Sequence, residues 1–554
     1  FAVLPWTTTV FSRLPDKGYG LSKVIGFVGI GLGVWLTVSW DLIDYSRSLS
    51  LTWFGATAVV GLIAWGRGNE RMTGLFRDHR RSWMMTELVF LGVFALALWM
   101  RSANPDLWEA HLGGEKPMEM AYLTSIARSS ELPAVDPWFA GGFMNYYYFG
   151  WFLLTVPMRA MRILPEVAFN LGVATYAALT AATAFSVVHN LVALSRERWA
   201  KTSHESTSPV PARAGLLGVL LLLGIGNLDA IRLHYRRLEL VNEWQAGADI
   251  PVIGHIMTFL GGSWAWATGT NLQRFDWWAP SRVNQGNFDI TEFPYFTFLF
   301  GDLHPHMMGM VFVGLTVSLA LAYLLASRDG AGRSPLLFAV GLGLATGLVR
   351  MVNTWDLPSV VIVAAITIVV GRSIAVVQQR LDAPRSRSVA ILIGVVGLAV
   401  GASHVGGPGS SALVALFGVG AASMVAATLP AGARHRLLSV IGHLSVVAVT
   451  HILVFWPYLR SNEAIDTGLQ SAVAGSPLDD FLVHWGIFLT LAVALALALL
   501  VDARRRAKTN EPNPGPLPTV VWASPLWKGV WLGLSAVTIV VTGRVSTGAA
   551  TIAV

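Results

Sequence analysis

Long apolar runs alternate with short polar connectors along the chain. Runs of roughly 17 to 25 apolar residues have the length of a membrane-spanning helix, whereas the strands of a membrane barrel would show alternating apolar positions. The pattern therefore predicts an all-α, polytopic integral membrane protein with about fourteen transmembrane helices. The apolar runs lie near residues 22–41, 50–66, 84–101, 146–163, 167–194, 214–232, 307–327, 335–351, 358–378, 388–403, 412–430, 437–456, 481–501 and 528–545.

The polar connectors predict the orientation of the chain. Connectors rich in Lys and Arg alternate with acidic, aromatic or glycine-rich ones, which is typical of a protein that keeps its basic loops in the cytoplasm. This parity predicts a multi-pass protein of the cytoplasmic membrane. It also predicts that the connectors 102–145 and 270–306, here named the first and second outer loops, lie on the extracytoplasmic side.

One part of the chain breaks this parity. If the runs 146–163 and 167–194 both crossed the membrane, the basic stretch Arg196 to Arg213 would lie outside. Two explanations stay open: one of those runs does not cross fully, or a further helix lies at about Ile250 to Gly269. The second explanation keeps both outer loops on the same side.

The distribution of unusual polar residues divides the chain into three regions. The two ends are poor in such residues and resemble scaffold, whereas the central region contains both outer loops. The predicted regions are N-terminal transmembrane helices at 1–83, a core at 84–380, and C-terminal transmembrane helices at 381–554 with a proline-rich linker at 507–522.

Composition narrows the possible functions. The chain is 54% hydrophobic and 13% charged, against roughly 25% charged in a soluble domain. It contains no cysteine, which excludes disulfides, thiolate metal sites and a cysteine nucleophile. The net charge of +7 resides in short connectors, so we expect contact with membrane lipid and no nucleic-acid partner. The opening FAVLPW resembles the tail of an apolar segment, and we expect residues to precede Phe1.

The first outer loop contains two carboxylates with helical spacing. Glu115 and Glu119 are four residues apart and would share one face of a helix that continues to Arg128. Two such carboxylates can bind a divalent cation or divide general-acid and general-base roles. The alternative is a solvated loop helix in which Lys116 and Arg128 form salt bridges with them.

The same loop ends in an aromatic segment. Asp136 precedes a Pro-Trp pair, and Tyr146, Tyr147 and Tyr148 stand at the start of the next apolar run. Tyrosines at this position commonly anchor a protein at the bilayer interface. Three in succession cover most of a helix turn, so at least one should point into the protein, where its hydroxyl needs a partner. Asp136 and the three tyrosines are therefore candidate substrate-binding residues.

The second outer loop offers ligands of a different kind. Asp302, His304 and His306 lie within five residues of each other at the start of a helix, after Glu292 and an aromatic run. They could bind a cation, or serve as one acid and two bases beside a phosphate. The alternative is a pair of interfacial histidines that only form hydrogen bonds.

Aromatic and basic residues in the same loop fit a sugar phosphate. Trp277 and Trp278 could stack on a sugar ring, and Arg282 could bind a phosphate. An aromatic belt with snorkelling arginines would produce the same pattern. Asp356 adds a further carboxylate to a short connector on the same predicted side, where a tight polar turn also explains it.

Five sequence motifs together resemble a family of polytopic membrane proteins of Chloroflexi and archaea that is named for its YYY motif. The resemblance extends over most of the chain, from about residue 10 to about residue 460. The matching segments are GGEKPME at 113–119, DPWFAGG at 136–142, NYYYFG at 145–150, EFPYF at 292–296 and GDLHPH at 301–306.

The arrangement of these motifs is in turn similar to the GT-C class of membrane glycosyltransferases. In that class a carboxylate in the first outer loop acts as base or metal ligand, and the sugar donor is a polyprenyl phosphate or pyrophosphate. The resemblance implies that Glu119 is the base, that Glu115 and Asp302 support a metal or the acceptor, and that Arg282 or His304 faces the donor phosphate. Members of the YYY family favour Asp where this chain has Glu119, so the chain departs from the pattern at that position.

These observations predict a GT-C-like glycosyltransferase that uses a polyprenyl-phosphate-linked sugar at the outer membrane face. The catalytic candidates are Glu119, Glu115 and Asp302, and the candidate ligands for Mg²⁺ or Mn²⁺ are Glu119, Asp302, His304 and His306. Two alternatives remain: a transporter or flippase for a lipid-linked glycan, and a non-catalytic subunit with protein partners in a larger membrane complex. The candidate substrate-binding residues are Lys116, Asp136, Tyr146, Tyr147, Tyr148, Trp277, Trp278, Arg282, Glu292 and Asp356.

Overall fold

The fold, seen in a computed structural model, is built from helices joined by loops. The structure describes residues 1–109, 114–200, 210–241, 251–283, 292–329, 334–378, 431–462 and most of 477–489. Within these ranges β-structure is limited to one isolated antiparallel bridge between Val135 and Phe143. The α-helices are α1 (Leu4–Val10), α2 (Tyr19–Ser39), α3 (Arg47–Arg67), α4 (Asn69–Ala103), α5 (Lys116–Arg128), α6 (Phe149–Met161), α7 (Pro165–Ala200), α8 (Val210–Leu223), α9 (Asp229–Leu240), α10 (Pro251–Ala267), α11 (Pro294–Phe300), α12 (Pro305–Arg328), α13 (Ser334–Val352), α14 (Leu357–Gln378), α15 (Ala431–Val454) and α16 (Trp456–Ser461).

Eight of the helices in these ranges are long and apolar enough to cross a membrane. They are α2, α3, α4, α7, α12, α13, α14 and α15. The expectation of an all-α, multi-pass membrane protein is therefore confirmed. The count of about fourteen helices stays a prediction, because the runs 388–403, 412–430 and 528–545 and most of 481–501 lie outside the described residues.

Two of the predicted membrane runs form shorter helices than the hydropathy pattern indicated. The run 146–163 becomes α6, which has only 13 residues and is about 20 Å long, against about 30 Å of hydrocarbon. The run 214–232 is divided between α8, which ends at Leu223, and α9, which begins at Asp229. Between them the Asn227 carboxamide oxygen accepts the Asp229 N–H at 3.1 Å. The further helix considered at Ile250 to Gly269 is present as α10.

The described chain divides into two compact units. The first unit contains Phe1–Leu221 and Gly301–Ile465, and the second contains Leu222–Phe300 together with the described residues between 477 and 489. The division into the regions 1–83, 84–380 and 381–554 stays a prediction.

Helix α7 lies at the centre of the first unit and packs against α2, α4, α5, α6 and α12. Its buried face is rich in alanine, including Ala174, Ala177, Ala178 and Ala181. Small side chains allow the backbones of membrane helices to approach closely, which increases their van der Waals contact. In lipid this contact stabilises helix packing, because the lipid tails are as apolar as the side chains and the hydrophobic effect contributes little.

Helix α5 is held by contacts with α6 and α7 and by an arginine at its carboxyl end. Leu123 and Ile126 are fully buried on the side that packs against α6 and α7. At the carboxyl end, Arg159 of α6 donates to the carbonyl oxygens of Ala127 at 2.7 Å, Ser129 at 2.9 Å, and Tyr45. The last carbonyls of a helix have no partner within the helix, so this guanidinium satisfies groups that would otherwise be left open.

Candidate functional site

The site is centred on Glu119, a carboxylate with no solvent exposure. The residue lies in the first turn of α5, and its Oε2 accepts the backbone N–H of Leu303 at 2.7 Å. The other oxygen, Oε1, is buried and has no hydrogen-bond partner among the described residues. A buried carboxylate oxygen without a partner is costly unless a ligand, a proton or a cation compensates it, so Oε1 marks a position that a ligand can fill.

The hydrogen bond from Leu303 joins two distant parts of the chain. Glu119 belongs to the first outer loop and Leu303 to the second, and 184 positions separate them. A second contact is made by His304, whose Nε2 lies 2.9 Å from Oε2 of Glu115. The structure therefore brings the segments 115–119 and 302–306 together within the first unit.

Three side chains of this cluster lie close enough together that they could hold a cation. One ligand atom each from Glu115, Glu119 and His304 lies within 4.8 Å of the others. Two carboxylates and an imidazole match the ligand preference of Mn²⁺, and the carboxylates alone match that of Mg²⁺. Each of the three residues offers one ligand atom, so Glu119 needs only one of its two oxygens for a cation.

Two residues expected among the metal ligands take other positions. His306 is not part of the three-residue cluster; its Nδ1 lies 2.7 Å from Nδ1 of His304, where it orients the ring that the carboxylates face. Asp302 is buried, with 6% exposure, and acts on the cluster by its charge. Such outer contacts fix the tautomer and direction of a ligating imidazole.

Buried charges surround the cluster. Lys116 and Arg101 are each 5% exposed. Burial lowers the pKa of the Lys116 ammonium, and the negative charge of Asp302 opposes that shift. Arg101, at the end of α4, donates to the Asn170 carboxamide at 2.7 Å. Several ionised groups are thus held away from bulk water, where their mutual interactions are strong.

Burial also sets the protonation of Glu119. It raises the pKa of this carboxyl well above its usual value, and the negative charge of Asp302 adds to the effect. The hydrogen bond from the Leu303 N–H acts in the opposite direction and is the smaller influence. A carboxylate with a raised pKa accepts a proton more readily at neutral pH than a solvated one, which suits general-base catalysis.

Gly301 allows the second outer loop to reach the site. Its φ of +68° lies in the left-handed region, and a Cβ added there would lie 3.0 Å from both Cδ and Nη1 of Arg101. Both the backbone conformation and the close approach of Arg101 require glycine.

We expect Gly301→Ala to lower the free energy of unfolding by about 1 kcal/mol or more, because alanine is strained at positive φ and would crowd Arg101. The measurement is the thermal unfolding midpoint of the purified protein in detergent. Gly92→Ala on α4 is the matched control, since a Cβ at Gly92 meets nothing within 4 Å. Equal midpoints for the two variants would contradict the role assigned to Gly301.

The three tyrosines take different environments. Tyr146 stacks on Trp151, and its ring centroid lies 4.0 Å from that of Tyr147. Burial raises the pKa of the Tyr146 hydroxyl well above its usual value, as do its hydrogen bond with Tyr147 and the charge of Glu115. Tyr148 is buried, and its hydroxyl accepts the Trp35 indole N–H at 3.1 Å. Tyr146 therefore lies near the cluster, whereas Tyr148 fills the core.

Two other predicted residues take part in local turns. Asp136 Oδ1 accepts the Trp138 N–H at 2.8 Å, which closes a turn within the first outer loop. Asp356 accepts from the Asn353 side chain at 2.9 Å. Its carboxylate also lies against α12, because a Cβ at Gly309 would be 2.9 Å from Oδ2.

The remaining predicted residues belong to the second unit and form a cluster of their own. Arg282 makes an ion pair with Glu292 at 3.2 Å and lies over the Trp278 ring at 4.7 Å. Trp277 stacks on Phe296 with a centroid distance of 5.7 Å. These contacts give the arginine and the tryptophans partners within the unit.

Some contributors to the site were not found by sequence reasoning. Arg101 stands at the end of an apolar run, where an arginine is normally expected to extend its charged group to the membrane surface. The Leu303 N–H is a backbone group and has no signature in the sequence. Gly301 stands inside the motif GDLHPH, and its position directly before Asp302 was the available signal of a special backbone conformation.

The long apolar helices define a multi-pass α-helical membrane protein, and this protein contains a buried polar cluster. The chain belongs to the family described as Uncharacterized membrane protein (DUF2298), whose family model matches residues 30–553. No curated protein and no solved structure matches the chain. Family membership agrees with the membrane character, whereas the resemblance to the YYY family and to GT-C enzymes stays a prediction.

Proposed function

We propose that this protein is a GT-C-like glycosyltransferase that transfers a sugar from a polyprenyl phosphate donor at the outer membrane face. The observation that carries the proposal is the environment of Glu119. This carboxylate is fully buried, is held by the Leu303 N–H, and presents a second oxygen without a partner among the described residues. A base for an acceptor hydroxyl needs this combination of fixed position, raised pKa and open lone pairs.

In the proposed reaction, Glu119 Oε1 takes the proton of an acceptor hydroxyl. The acceptor oxygen then forms a bond to C1 of the donor sugar, and the bond between C1 and the phosphate oxygen breaks. The electron pair of that bond leaves with the polyprenyl phosphate. Lys116 supplies a buried positive charge that can stabilise the departing phosphate, because charges interact strongly in a site of low dielectric.

The cation cluster fits the same proposal. Glu115, Glu119 and His304 would hold Mg²⁺ or Mn²⁺, and the ion would supply positive charge against the donor phosphate. A carboxylate oxygen has two lone pairs, so Glu119 Oε2 can accept the Leu303 N–H and still face a cation. Oε1 stays available for the proton.

We expect His304→Ala to weaken Mn²⁺ binding by about tenfold or more, because it removes one of three ligands. The measurement is electron paramagnetic resonance of free Mn²⁺ titrated with the purified protein. His234→Ala, on α9 of the second unit, is the control and should bind as the wild type does. Wild-type affinity in the His304 variant would contradict the assignment of this ligand.

The proposed activity is tested by reconstituting the protein in liposomes with a radiolabelled polyprenyl phosphate sugar and a membrane lipid extract as acceptor source. We expect label to move from the donor to a new product, to stop when EDTA is added, and to resume with Mg²⁺ or Mn²⁺. Label that stays on every donor of a panel of hexoses and pentoses, with the protein folded and Mn²⁺ bound, would overturn the proposal.

A further inference from the structure

Helix α5 has a second face, which does not bear Glu119 and which borders a cavity. A groove of about 640 Å³ runs along this face, between α5 and the loop segments on either side of it. Its volume is within the range of small-molecule sites. The residues that matter for its chemistry are Trp108, Met120, Thr124, Ser125, Arg128 and Pro137.

The groove offers an unengaged positive charge. Arg128 is exposed and, among the described residues, forms no ion pair and donates no hydrogen bond. A guanidinium in this state retains all its donors, and their planar fork matches the oxygens of a phosphate. Asp136, whose Oδ1 accepts the Trp138 N–H, forms no ion pair with Arg128.

Neutral groups in the groove suit a sugar. Trp108 is 66% exposed and presents a large aromatic surface, on which the apolar face of a sugar ring can stack. The hydroxyl of Thr124 is open within the described part of the chain, and Ser125 Oγ donates to the Val135 carbonyl at 2.6 Å while its lone pairs stay open. An aromatic ring, hydroxyls and a guanidinium together match a sugar with an attached phosphate better than a plain lipid headgroup.

The groove and the carboxylate site share helix α5. Met120, which lines the groove, directly follows Glu119 in α5. Consecutive helical residues are about 1.5 Å apart along the axis and about 100° apart around it. The groove therefore extends along α5 to about the axial level of Glu119, on a neighbouring face of the helix.

We propose that this groove binds a phosphorylated saccharide. This binding does not depend on the proposed role of Glu119. A guanidinium contact with phosphate and an aromatic contact with the ring make two separate contributions, which the experiment separates.

The experiment titrates the wild-type protein in nanodiscs with glucose 1-phosphate, inorganic phosphate and glucose, and follows binding by ligand-observed NMR. We expect glucose 1-phosphate to bind more tightly than either part alone. Arg128→Gln should weaken it about tenfold, as expected for the loss of a charge-assisted hydrogen bond, and Trp108→Ala about fivefold. The matched controls are Arg81→Gln, an exposed arginine on α4, and Trp138→Ala, which is 63% exposed in the same loop but does not line the groove.

The outcomes separate this proposal from the proposed function. Glu119→Gln should keep wild-type binding of glucose 1-phosphate even if it stops sugar transfer. Absence of binding, or equal losses in the control variants, would overturn the groove site and leave the role of Glu119 untouched. Inorganic phosphate that binds as tightly as glucose 1-phosphate, with no effect of Trp108→Ala, would overturn the saccharide and leave an anion site.

Discussion

Glu119→Gln is expected to reduce sugar transfer by roughly 10²- to 10⁴-fold, the usual contribution of a general base. The amide has the shape of the carboxyl, and its oxygen can still accept the Leu303 N–H, but it cannot take a proton from the acceptor. The measurement is the initial rate of label transfer in liposomes, at a donor concentration that saturates the wild type.

The stability of this variant separates chemistry from folding. Burial raises the pKa of Glu119 above its value in the unfolded chain, so ionisation at neutral pH costs folding free energy. This cost is absent at pH values below the unfolded pKa and grows as pH rises toward the folded pKa. Glutamine removes the cost, so the thermal midpoint at neutral pH should be equal to or above that of the wild type.

The control for Glu119→Gln is Glu131→Gln, which changes an exposed carboxylate of the same outer loop. We expect it to keep both wild-type rate and wild-type midpoint. Full transfer activity in the Glu119 variant would remove this residue from the mechanism. A large fall in its thermal midpoint would show instead that the carboxylate is needed for the fold.

Arg159→Met is expected to lower the free energy of unfolding by about 3 kcal/mol or more. The guanidinium donates to three carbonyl oxygens, of Ala127, Ser129 and Tyr45. Hydrogen bonds from charged groups contribute about 1.5 to 3 kcal/mol each, and carbonyls left without donors carry a further desolvation cost. Because Ala127 and Ser129 lie at the carboxyl end of α5, sugar transfer should also fall.

Chemical or thermal unfolding in detergent measures the loss, with Arg81→Met as the control for removal of an exposed arginine. Arg159→Lys should recover only part of the stability, because one ammonium cannot span three carbonyls as a planar guanidinium does. An unchanged midpoint in Arg159→Met would mean that α5 is held by its apolar contacts alone, at Leu123 and Ile126.

The sequence was sufficient for the class of fold. A membrane helix satisfies its own backbone hydrogen bonds, so an apolar run long enough to span the bilayer predicts a helix without knowledge of its neighbours. The runs that became α2, α12 and α13 illustrate this. The run 146–163 forms a shorter helix than its hydropathy indicates, because α6 begins only at Phe149 and ends at Met161, where Arg162 takes a left-handed conformation.

The sequence also identified the segments of the candidate site, though not their arrangement. The spacing of Glu115 and Glu119 predicted a shared helix face, and the cluster of Asp302, His304 and His306 indicated a polar helix start. Spacing alone could not show that Glu119 accepts the Leu303 N–H, that His306 contacts His304, or that Glu115 lies with Glu119 and His304 in one cluster.

By itself the sequence determined that this protein is a multi-pass helical membrane protein with two polar loops rich in carboxylates and histidines, since both properties depend on residue type and on spacing within one segment. The tertiary structure alone decided which of those side chains meet. The contact between Glu119 and Leu303, across 184 positions, depends on the packing of the helices and on the left-handed turn at Gly301. The same packing buries Arg101 and leaves one oxygen of Glu119 without a partner among the described residues.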